Sequence, residues 1–225
     1  RFLYHAGVMP EHQGMPDGMM SDMHGGADDQ HGGTLAHEEA DVREGLAVNL
    51  NVSPVPFLIG QLLRFDFFVN QKPGNLPVPS GDLEIEHAKL MHVIGVRSDM
   101  NEFFHIHPNP TSSPGVLTVN YIFNNPGRYK LWSEIKKDGV NHAYGHPDIS
   151  VAGEGVMDEK KVSFGRNFVV DRYQVALEMD EPAAKRHEHE LSFDVDTFTG
   201  DEVAVEDYLD AKMHLTIIKD DLKQF

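Results

Sequence analysis

The sequence predicts an all-β protein: two β-sandwiches in tandem, the second carrying only the front part of the unit. Three observations carry that expectation. Short apolar runs recur between turn residues along 45–155, no stretch holds a helical period, and the chain after 156 repeats motifs from the chain before it. The expected organisation is a flexible Met/His-rich leader over 1–44, a complete sandwich over 45–155 and the front part of a second over 156–225.

Residues 1–44 are rich in Gly, Pro, Asp, Met and His and poor in β-branched residues, a composition that does not offset the entropy of ordering. Met9, Met15, Met19, Met20 and Met23 interleave with His5, His12 and His24. Thioether and imidazole together suit copper, Cu(I) above all, because soft ligands select soft ions. The bland alternative is an acidic leader in which Met and His are incidental.

From Gly45 the pattern turns to strands. Leu46, Val48, Leu50 and Val52 alternate with Ala47, Asn49 and Asn51, and Pro54 and Pro56 end the run. Leu62 to Val69 is the next strand, and residues 72–82 form a Pro/Gly loop. Leu90 to Arg97 and Glu102 to His107 flank the turn Ser98 to Asn101, which is the signature of a hairpin. Asn109 to Gly115 turns, Val116 to Phe123 extends, Asn124 to Gly127 turns, and Arg128 to Ile135 alternates again. Lys137-Asp138-Gly139 turns once more and Ala143 to Val151 closes the unit. Strands this short at this spacing match an immunoglobulin-like or cupredoxin-like β-sandwich.

The hairpin carries the chemistry. Closed symmetrically, it sets Arg97 against Glu102, Ile94 against His105 and His92 against His107. Side chains alternate faces along a strand, so His92, His105 and His107 share one face at its open end. A turn one residue longer or shorter would separate His92 from the other two. Three converging imidazoles suit a transition metal, copper first, with His142 or His146 as the expected further ligand. The structural alternative is that these histidines bond across the hairpin and hold strand ends. Free imidazole gains its proton near pH 6.5, so binding is expected to weaken below about that value.

The second unit echoes the first. Val169 to Met179 follows the opening strand, and Leu191 to Val195 follows Leu63 to Phe67. Met213-His214 through Phe225 aligns with Met91-His92 through Phe103 at a constant offset of 122 residues. His214 is thus the counterpart of His92. The second copy lacks a His-x-His-Pro and the later strands, so either the chain continues past Phe225 or a partner strand completes it. The chain starts at Arg1, without Met or a signal peptide, which fits a processed product or a trimmed one.

These copies resemble the YtkA-like family of small secreted bacterial β-sandwich domains, described as copper-binding. The residues that carry the resemblance are Met91-His92-Val93, Ser98-Asp99-Met100, Phe103-Phe104-His105-Ile106-His107-Pro108 and Pro126-Gly127-Arg128-Tyr129-Lys130-Leu131. The resemblance implies an extracytoplasmic protein, periplasmic, secreted or on the cell surface, that handles metal.

Composition narrows the rest. With 19 basic and 36 acidic residues the net charge is −17, which argues against nucleic acid and anionic membrane surfaces and favours attraction of cations. Cys is absent, so disulfides and thiolate sites are excluded. No apolar run has the length to span a membrane. No Ser-His-Asp spacing, phosphate-cradling Gly loop or carboxylate pair stands out. The expected function is a metal-binding protein that captures or carries ions rather than an enzyme; a mononuclear copper or iron enzyme is the enzymatic alternative, because three His leave an open position. The other class is a cell-surface structural protein whose sandwiches self-associate by strand complementation. His187 and His189, among acidic neighbours, read as surface; Phe123, Tyr129 and Trp132 read as core; Asp99 and Asp221 read as turn residues.

Overall fold

A computed structural model describes residues 2–6, 45–155, 165–179, 189–201, 203–207, 212–213, 215–219 and 221–223. Among them the structure is all-β. In chain order the strands are β1 (Phe2–Ala6), β2 (Leu46–Ser53), β3 (Leu62–Gln71), β4 (Leu76–Pro77), β5 (Met91–Arg97), β6 (Phe103–Ile106) and β7 (Asn109–Pro110). They continue with β8 (Val116–Ile122), β9 (Gly127–Lys137), β10 (Val140–Gly145), β11 (Ile149–Val151), β12 (Asn167–Val170), β13 (Tyr173–Met179) and β14 (His189–Thr197). No helix among the described residues is long and apolar enough to cross a membrane.

The chain forms two compact units, residues 34–162 with 206–225 and residues 1–33 with 163–205. In the larger unit two antiparallel sheets, β2-β3-β8-β7 and β10-β9-β5-β6, enclose one core; β4 extends the first at β3 and β11 the second at β9. Alternation builds that core. Leu63, Phe65, Phe67 and Val69 of β3 are fully buried, while Leu62, Arg64 and Phe68 on the opposite face are exposed. They meet Met91, Val93, Phe104, Tyr129, Leu131 and Tyr144 of the other sheet. Phe123, Tyr129 and Trp132 are buried, as core residues should be.

Strand β5 does not alternate, because both of its faces are covered. Met91 and Val93 enter the core between the sheets. Ile94 and Val96 point the other way and join Trp132, with Met100, Ile218 and Leu222 packed against them. Gly95 sits opposite Phe104 in β6, and a Cβ there would lie 2.0 Å from the Phe104 ring. The missing side chain lets that ring lie against the strand and stack on Tyr121, 4.4 Å away.

Two turns share one bonding pattern. Met100 N–H donates to Arg97 O (2.8 Å), Asn101 N–H to Asp99 Oδ1 (3.1 Å), Arg97 pairs with Asp99 (2.8 Å), and Met100 has φ 63°. Leu222 N–H donates to Lys219 O (2.9 Å), Lys223 N–H to Asp221 Oδ1 (3.0 Å), Lys219 pairs with Asp221 (3.1 Å), and Leu222 has φ 59°. Asp99 and Asp221 are therefore turn residues.

The smaller unit holds one antiparallel sheet, β1-β14-β13-β12. The strand expected over Val169 to Met179 is two strands, folded back at Asp171, whose φ of 54° reverses the chain. Phe2–Ala6, assigned by composition to a flexible leader, is an edge strand paired with β14. The stretch 206–225, expected to belong to a second sandwich, groups with the larger unit, where Ile218 and Leu222 reach the outer face of β5.

Candidate metal centre

The site rests on the β5–β6 hairpin, and its register is the symmetric one. Ile94 opposes His105, Val93 opposes Ile106, and Arg97 N–H donates to Glu102 O (2.9 Å). His92, Ile94, His105 and His107 consequently share the face turned away from the core. Ligand nitrogens of His92, His105 and His107 lie within 4.8 Å of one another. Ring centroids are 5.2 Å apart for His92–His105, 4.9 Å for His92–His107 and 4.6 Å for His105–His107.

The far end of the hairpin is fixed by buried polar bonds. The Arg97 and Asp99 side chains are each 5% exposed and ion-paired. Burial raises the Asp99 carboxyl, but the Arg97 hydrogen bond and the Asn101 N–H outweigh it and hold the group below the usual carboxylate range. Tyr129 Oη donates to Glu102 (2.6 Å), which also accepts from Asn125 Nδ2 (3.0 Å). Burial, with the Glu102 bond adding to it, pushes the Tyr129 phenol above its ordinary range.

One hydrogen bond sets the protonation of His92. Its Nε2 lies 2.9 Å from the Glu86 carbonyl oxygen, which only accepts, so Nε2 carries the proton. The Nδ1 lone pair of the neutral ring then points at His105 Nε2, 3.1 Å away. A ring nitrogen donating to a backbone carbonyl while the other faces the site is the usual support for a metal-ligating His.

Two neighbours complete the surroundings, and neither was singled out from sequence. Glu134 of β9 opposes His92 on the same face, and burial, with Glu86 nearby, raises its carboxyl. His87 lies 6.1 Å from His92, ring to ring. It occupies a tight turn in which Glu86 and Lys89 exchange both backbone hydrogen bonds at 2.9 Å.

Residues 40–149 match the family model Domain of unknown function (DUF8832). No curated protein and no solved structure matches the chain. The DUF8832-like region contains the hairpin, all three converging histidines, His87 and Glu134.

It also contains the two histidines expected to add a ligand, and the structure does not bring them to the site. His142 opposes Ile135, which also opposes Met91, so its side chain lies on the core face of the sheet and His92 on the other. His142 lines a small groove with Leu46, Gln71 and Lys137. His146 is buried between the sheets, 2.8 Å from Ser133 Oγ and edge-on to Phe67. Both assignments failed because β10 is placed relative to the histidine hairpin through the pairing of β5 with β9, strands distant in sequence. Beyond the region, His189 is half-buried in β14. His5 lies in β1, with only its backbone described. Met9, His12, Met15, Met19, Met20, Met23, His24, His187 and His214 lie outside the described residues.

Proposed function

We propose that this protein captures or carries a transition-metal ion, copper by preference, on His92, His105 and His107. The convergence of three imidazole nitrogens within 4.8 Å carries the reading. With metal–nitrogen bonds of about 2 Å, tetrahedrally arranged imidazole rings have centroids about 5 Å apart, close to the spacing of this triad. Imidazole suits copper, no Cys competes, and Met and His accompany the site in residues 1–44. The resemblance to the YtkA-like family supports an extracytoplasmic setting. The shared bonding of the Arg97 and Lys219 turns supports the tandem repeat.

Titration of Cu(II) and Cu(I) against competing chelators tests this in three proteins: the wild type, a deletion of 1–44, and His105→Ala with His107→Ala. The deletion should lower stoichiometry and leave one bound ion. The double variant should lose that ion. A double variant that keeps the tight site would make the hairpin histidines structural.

A second reading, assembly by strand complementation, draws on β1. Strand β3 is flanked by β2 and β8, and β14 by β13 and β1, so Phe2–Ala6 stands beside β14 where β8 stands beside β3. A donated strand adds to an exposed sheet edge in this manner. Deleting residues 1–6 and measuring mass in solution tests it: loss of higher-order species supports exchange of this strand, and an unchanged mass removes it.

A further inference from the structure

We infer that His87 is the fourth ligand of the centre, delivered by the turn Glu86-His87-Ala88-Lys89. This rests on the metal-binding reading above. The turn is a two-residue hairpin closed by both Glu86–Lys89 backbone bonds, with φ of 44° at His87 and 62° at Ala88. Two consecutive positive φ values are what such turns demand, and Asn-Gly or Gly-Gly meets the demand without strain. His-Ala does not: an L residue with a Cβ is strained in the left-handed region. Strain of this kind persists where the surroundings enforce it, and it concentrates at ligand sites.

The turn does two things for the site. Glu86 supplies the carbonyl that fixes the His92 tautomer. His87 brings a further imidazole to 6.1 Å from the His92 ring, about 1 Å outside the spacing of ligating rings. A small swing of a four-residue turn spans that gap. The triad alone leaves one tetrahedral position open, and His87 closes it. An Asn-Gly turn would keep the Glu86 carbonyl in place and lose only the imidazole, which explains why the strained pair is present.

The same substitution is the test. In the full chain, His87→Asn with Ala88→Gly keeps the turn and relaxes it. The metal-free variant should melt higher than the wild type, which reports that the turn is intact. Its Cu(II) affinity should fall at least about tenfold, and the nitrogen hyperfine pattern of bound Cu(II) should change from four imidazoles to three. Higher melting with unchanged affinity and an unchanged pattern would overturn the proposal. So would retention of affinity in this variant together with its loss in Glu134→Gln, which would give the fourth position to the carboxylate. Failure of the triad itself is read separately, from retained binding in the His105→Ala, His107→Ala protein.

Discussion

His146 is an imidazole kept neutral by its place between the sheets. Burial, reinforced by the charge of Lys130, lowers its pKa from 6.5 to about 3. The unfolded chain takes up a proton below 6.5 that the folded chain refuses down to about 3. Stability is therefore complete above 6.5 and declines as pH falls towards 3, by an amount on the order of a few kcal/mol. Urea unfolding at neutral pH and near pH 4.5 should show the decline in the wild type and a smaller one in His146→Gln. Gly95 makes the opposite use of space: Gly95→Ala drives a methyl group into the Phe104 ring, and we expect a loss of about 1–3 kcal/mol in the same assay. A variant as stable as wild type would mean that the ring moves aside freely.

At the scale of elements, the hairpin is held at the turn end by charge and hydrogen bonding and is open at the histidine end. Tyr129→Phe removes one of the donors to Glu102 and should cost about 0.5–1.5 kcal/mol, because the half-buried carboxylate keeps its bond from Asn125; thermal unfolding reads it, and an unchanged midpoint would mean that water replaces the phenol. The triad was legible in the sequence for a local reason. A four-residue turn between Arg97 and Glu102 fixes the register of β5 and β6 without reference to any other strand. His142 and His146 were misplaced because the β9–β10 hairpin is local but its parity against β5, set where Ile135 meets Met91, depends on strands distant in sequence. The Glu86–Lys89 turn was hidden because His-Ala stands where Asn-Gly would have marked it. Alternation revealed β3, whose outer face is solvated, but said less about β5, which is covered on both sides.

For the whole molecule, the acidic balance and the buried core make separate contributions. A net charge of −17 raises the local concentration of cations, and the effect is screened by salt. Metal association should accordingly slow as ionic strength rises, by stopped-flow, while dissociation changes little. Protons compete with the ion for imidazole lone pairs, so affinity should fall with pH as well. The fold class followed from strand length and turn spacing. The grouping of 206–225 with the larger unit did not, since Ile218 and Leu222 find Ile94, Val96 and Trp132 only once the outer face of β5 exists.

Among the described residues, strand β6 is the last strand of its sheet and pairs with β5. His105 lies in that border strand and His107 just past its end, whereas His92 belongs to an interior one. The centre therefore joins a border strand to an interior one, and border strands are where local opening is expected first. Residence time of the ion would be governed by how often the border peels, not by global unfolding. A bound ion would act as a clasp, slowing amide exchange at Phe104 and Ile106 far more than at Val93. Handing the ion to an acceptor would then require no more than lifting a few residues from the margin of an otherwise intact sandwich.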